Sequence, residues 1–80
     1  MKNTVKFQYF PPHVGIDAVH VVNVDGDSIG ELGRAEDGTY WFHDYSEGED
    51  FYLSPELNTL SEAQDAVIQL LRRIGYVEEE

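Results

Sequence analysis

The chain has no cysteine, and that absence alone excludes a disulfide scaffold, a thiolate zinc site and a thiol nucleophile. Bases are scarce: five Lys and Arg stand against sixteen Asp and Glu, for a net charge of −11. Affinity for DNA or RNA rests on cations that neutralise phosphates, so direct nucleic-acid binding is not expected. Anionic lipid is repelled for the same reason. No run approaches the ~18 apolar residues of a membrane-spanning helix, and the segment from Met1 to Lys6 opens no apolar leader. Together with the missing disulfide staples, this reads as a protein of a reducing cytoplasm. Catalytic signatures are missing too. There is no Gly-x-Ser-x-Gly and no phosphate-binding glycine loop with Lys-Ser or Lys-Thr, so no enzyme activity and no cofactor are expected.

What remains is a folded domain of 80 residues with 41% hydrophobic residues and ten aromatics. A chain of this size buries only ~60% of its unfolded surface, so residues 1–80 read as a single domain with a thin core. Residues 78–80 (Glu-Glu-Glu) read as a frayed acidic tail.

Hydrophobic periodicity sets the elements. Thr4 to Phe10 alternates Val5, Phe7 and Tyr9 with polar residues and reads as a strand ended by Pro11-Pro12. Ala18 to Val24 is β-branched, and Asp25-Gly26 after it favours a two-residue hairpin turn. Asp27 to Ala35 follows as a strand in which Gly30 and Gly33 mark weakness or a bulge. Asp37-Gly38 offers another turn before Thr39 to Tyr45, a strongly β-prone run. After the acidic loop Ser46 to Asp50 and the short apolar segment Phe51-Tyr52-Leu53, the period changes to 3.6. Ala63, Ala66, Val67, Leu70, Leu71 and Ile74 then share one helix face. Thr59 with Glu62, or Ser61 with Gln64, supplies a capping box, and Gly75 a left-handed C-terminal cap. The expected fold is α+β: an antiparallel β-meander of three to four strands with one C-terminal helix packed on one face.

If both Asp-Gly turns are two-residue loops, Val22 sits opposite Ile29 and Ala35 opposite Tyr40. One sheet face then carries His20, Val22, Val24, Ile29, Ala35, Tyr40 and Phe42 and receives the helix. The other carries Val19, Val21, Leu32, Arg34, Trp41, His43 and Tyr45. This register makes Glu31 and Asp44 direct cross-strand neighbours, an unfavourable pairing. The second face is also too apolar for ordinary solvent surface. It is covered either by the first strand or Phe51-Tyr52-Leu53 folding over it, or by a partner or second copy for which Trp41, Tyr45 and His43 are the contacts.

Asp25 to Glu36 follows an EF-hand loop at positions one, three, six, eight and twelve, but Ile29 stands where position five needs an oxygen ligand. Its flanks are strands, so a hairpin with acidic turn residues is the expectation. Gly30-Glu31-Leu32-Gly33 matches the bare Gly-x-x-Gly of RNA-binding KH domains, yet sits in a strand with an acid inside it. His20 and His43 face opposite ways and cannot share an ion, so no metal site is expected.

Acid is the feature that remains. From Asp17 to Leu71 thirteen acids oppose the single base Arg34, a balance of −12. Carboxylates at i and i+2 of a strand lie ~6.6 Å apart on one face and can approximate a row of phosphates; the plain alternative is a charged surface kept for solubility. The candidate residues are Asp25, Asp27, Glu31, Glu36, Asp44, Glu47, Glu49 and Asp50. In length, charge and lack of cysteine the chain resembles the small acidic inhibitors that phages deploy against host nuclease defences, the anti-CRISPR and anti-restriction proteins that mimic DNA. The resemblance implies a cytoplasmic partner that is basic and handles nucleic acid, and competitive exclusion of DNA or RNA from its groove. The competing expectation is an assembly module that dimerises or docks through the face around Trp41.

Overall fold

The computed structural model describes residues 3–15 and 17–78. Five strands and one helix follow in order: β1 (Val5–Phe10), β2 (Val19–Val24), β3 (Asp27–Arg34), β4 (Tyr40–Asp44), β5 (Asp50–Tyr52) and α1 (Leu60–Ile74). The strands form a single antiparallel sheet in sequence order. The architecture is therefore α+β, with one strand more than the expected maximum. Asp50–Tyr52 supplies the extra one by pairing along β4.

Asp25-Gly26 is the anticipated two-residue turn, with both φ angles positive (52° and 90°), the conformation that matches the right-handed twist of a hairpin. From there the register departs from the simple one in two places. Val24 faces Asp27 and Asn23 faces Ser28, but Val22 faces Gly30, so β3 carries a bulge at Ile29. The β3–β4 connection is also longer by one residue than a two-residue loop. Ala35 N–H donates to Thr39 O (2.8 Å), Gly38 turns the chain at φ 93°, and Arg34 rather than Ala35 pairs with Tyr40.

Both changes have an energetic reason. The bulge carries Leu32 from the outer face to the inner one, opposite Phe42, where each is almost completely buried. The longer β3–β4 connection places Gly30, not Glu31, opposite Asp44, so the unfavourable pair of acids is never formed. Glycine is required there, because a Cβ on Gly30 would lie 2.6 Å from Phe42 Cζ. Arg34 turns to the helix side, its guanidinium over the Tyr40 ring (4.8 Å) and its Nε donating to Gly38 O. Ala35, expected on the inner face, lies just past the end of β3 and lines a groove with Trp41.

The core lies between this inner face and α1. Val22, Val24, Leu32, Tyr40 and Phe42 pack with Ala63, Val67 and Leu71 of the helix. Leu60 and Leu70 flank that stripe half-buried, and Ile74, expected on the buried face, is exposed. The helix begins on a capping box in which Thr59 accepts from Glu62 N–H while Glu62 Oε1 accepts from Thr59 N–H. It ends on Gly75 at φ 97°. Beyond it, Glu78 N–H donates to Asn3 Oδ1 (2.9 Å). Lys2, Glu79 and Glu80 lie outside the described residues.

Candidate functional site

One face of the sheet has no cover from the helix. Neither β1 nor Phe51-Tyr52-Leu53 folds over it, because both extend the sheet edgewise instead: β1 pairs with β2, and Asp50–Tyr52 with β4. Two rows of side chains cross this open face. Val21, Glu31, His43 and Asp50 are successive cross-strand partners. Beside them, Gly33, Trp41 and Tyr52 form the second row. Trp41 is half-buried and Tyr52 is 73% exposed.

Trp41 owes its position to Gly33. The indole lies across that glycine so closely that a Cβ there would collide with Trp41 Cζ2. Glu31, Ala35, Trp41, His43, Asp50 and Tyr52 line a shallow groove of about 340 Å³. One of its two carboxylates, that of Asp50, is held by a ring nitrogen. His43 Nδ1 lies 2.6 Å from Asp50 Oδ1. A carboxylate only accepts, so the proton of this bond is on Nδ1. Tyr45 packs edge-on against His43 (5.9 Å). Partial burial, and then the Glu31 charge, raise the Tyr45 hydroxyl above its ordinary pKa.

The expected acidic residues are sorted by the fold. The β2–β3 turn and the β4–β5 loop leave the sheet at the same end, which gathers Asp25 and Asp27 with Glu47 and Glu49. Two strand spacings, ~10 Å, separate the turn from the loop. Glu31 and Asp50 stand on the adjoining open face. Glu36, in the β3–β4 loop, is at the opposite end. With β3 extended between them, by ~23 Å over seven steps, Asp27 and Glu36 cannot close around a calcium ion. Among the described residues no group of three or more His, Asp or Glu is placed to hold a metal.

Asp44 leaves the acidic surface entirely. Its side chain turns to the core face and the residue is only 4% exposed. Oδ1 accepts from Tyr76 Oη (2.8 Å) and from Ser46 N–H (3.0 Å). Its backbone closes the loop that carries Glu47 and Glu49, through Asp44 N–H to Glu49 O and Gly48 N–H to Asp44 O. Asp25 also has a local duty. Its carboxylate accepts from Thr4 N–H (2.8 Å) and Asn3 Nδ2 (2.6 Å), which holds its pKa below the ordinary carboxylate range.

Two contributors escaped the sequence reading. Tyr52 sat within an apolar triplet, and only the pairing of Phe42 with Phe51 reveals that Phe51 points inward and Tyr52 outward. Glu78 reaches the acidic end because Asn3 binds both its backbone and the Asp25 side chain. Arg34, expected on the same face as Trp41, is on the other, so among the described residues Lys6 is the only Lys or Arg on a strand of the open face. No helix among the described residues is long and apolar enough to cross a membrane. Comparison with protein families, with curated proteins and with solved structures gives no match to this chain.

Proposed function

We propose that this chain is a non-catalytic binding protein that occupies the basic, nucleic-acid-binding groove of another protein, its carboxylates standing in for phosphates. The observation that carries this reading is the gathering of Asp25, Asp27, Glu47 and Glu49 at one end of the sheet, continuous with Glu31 and Asp50 on its open face. These six acids are dispersed in the sequence and converge only through the meander. A field of one sign steers oppositely charged partners and accelerates their association.

The uncovered sheet face favours a second reading, docking of a protein through Trp41 and Tyr52, since large aromatics dominate interface energetics. A single set of variants separates the two. Asp27, Glu47 and Glu49 are changed together to lysine; Asp44 and Asp50 are left intact because they organise the loop and the groove. Mimicry predicts a partner that binds duplex DNA or RNA and loses that ligand when this protein binds. It also predicts at least a ~10-fold fall in association rate for the lysine variant at low ionic strength. Docking predicts that Trp41→Ala dominates and that salt matters little. If the triple-lysine protein binds as well as the parent at low salt, mimicry fails.

A further inference from the structure

The groove on the open face combines features that are rarely useful apart. Its lining brings the aromatic residues Trp41 and Tyr52 together with the acids Glu31 and Asp50. Two carboxylates beside aromatic rings repel an anion and attract a cation, while the rings favour a cation with a flat, weakly hydrated face. We propose that this groove takes the guanidinium head of one arginine of the basic partner, stacked on Trp41 and hydrogen-bonded to Glu31 and Asp50. This rests on the reading above and names the contact at its centre.

Arginine fits better than other cations on chemical grounds. Its planar head offers five N–H donors that match carboxylates while its faces stack on indole. Lysine presents a compact, strongly hydrated charge and no plane. A methylated ammonium would lose the donors that two carboxylates are placed to receive. Asp50 is oriented in advance by His43 (2.6 Å), which lowers the ordering cost of binding. That single bond leaves further lone pairs on Asp50 for a donor from outside. The indole keeps its place because Gly33 has no side chain to displace it. A second copy of this chain is a poor occupant, since it would bring −11 against −11.

The test uses the whole chain, labelled with ¹⁵N, titrated at low ionic strength with an N-acetylated, C-amidated Gly-Arg-Gly peptide and with its Gly-Lys-Gly counterpart. The expected result is a saturable shift of the Trp41 indole N–H and of the Gly33, His43 and Tyr52 amides. Arginine should bind at least about fivefold tighter than lysine. The double variant Glu31→Gln, Asp50→Asn should weaken the arginine peptide at least ~10-fold, a loss of about 1.4 kcal/mol, with an otherwise unchanged spectrum showing that it folds. Equal shifts with lysine, or shifts confined to Asp27, Glu47 and Glu49, would overturn the groove assignment yet leave electrostatic capture of a basic partner intact. No shift at any residue overturns it as well. A Trp41 signal that moves on dilution without peptide would show the face occupied by a second copy, and would overturn it too.

Discussion

At the scale of single residues, acids that look alike in the sequence have opposite duties. Asp44 and Asp50 each precede an aromatic residue and both lie within the acidic stretch. Strand alternation turns Asp44 inward between Phe42 and Tyr76, and leaves Asp50 at the surface beside His43. A nearly buried carboxylate needs its hydrogen bonds, because an unpaired one is costly. Tyr76→Phe is therefore expected to destabilise the fold by ~1.5–3 kcal/mol, the range for hydrogen bonds to charged groups, measured by urea unfolding at neutral pH. The hydrogen bond to Asp44, more than burial, raises the Tyr76 hydroxyl above its ordinary pKa near 10. Its folded pKa exceeds the unfolded one, so its contribution is complete below pH 10 and disappears as pH rises through the folded value. Part of the alkaline loss of stability should vanish in the Phe variant. An unchanged alkaline limb would show that Tyr76 does not anchor Asp44.

At the scale of elements, α1 was the most legible part. Its 3.6-residue stripe, the Thr59–Glu62 capping box and Gly75 are all local signals, and all three appear in the structure. The stripe alone does not say which flank touches the sheet. Ala63, Val67 and Leu71 are completely buried while Ile74 is exposed. Leu71→Ala should then cost ~2–5 kcal/mol, enough to unfold a domain of marginal stability. Ile74→Ala should stay within about 0.5 kcal/mol, as surface changes do. Equal costs, read by thermal melting with circular dichroism, would mean that the helix is rotated on the sheet. The strands were readable one by one, and β2 and β4 kept their expected faces. β3 did not, since a bulge at Ile29 moves Leu32 inward and Glu31 and Gly33 outward. No local signal distinguishes Gly30 as a bulge neighbour from Gly30 as a weak strand residue; the choice is made by the space beside Phe42. β5 was hidden because three residues are too few to show a period.

At the scale of the whole molecule, repulsion among like charges competes with a thin core. A balance of −12 from Asp17 to Leu71 disfavours the compact state at neutral pH. Salt screens it, so half-molar sodium chloride (about 0.5 M, with a Debye length under ~5 Å) should raise the melting temperature by several degrees. A fall would mean that attractive ion pairs outweigh the repulsion. Acid acts differently. The carboxyls of Asp25, Asp37 and Glu62 are held below their ordinary pKa mainly by backbone N–H donors, from Thr4, Thr39 and Asn58 respectively. Groups with a lowered folded pKa stabilise above the unfolded value and lose that contribution as pH falls through the folded one. The melting temperature should hold or rise as the pH falls from 7 towards 5, where other acids begin to neutralise, and then drop below about pH 4. A monotonic rise down to pH 3 would contradict the anchoring role of these three carboxylates.

Composition and local pattern by themselves determined the charge, the missing thiol chemistry, the helix with both its caps, the first hairpin turn and the faces of β2 and β4. These depend on residues a few positions apart, whose preferences are expressed before any packing occurs. Only the tertiary structure decided the register of β3, the inward turn of Asp44, the groove beneath Trp41 and the union of Asp25 and Asp27 with Glu47 and Glu49. Each of those depends on which residue meets which across neighbouring strands, or between the sheet and the segment after the helix. That choice is made by filling the space around Phe42 and Leu32 and by satisfying a buried carboxylate, and no local preference encodes it.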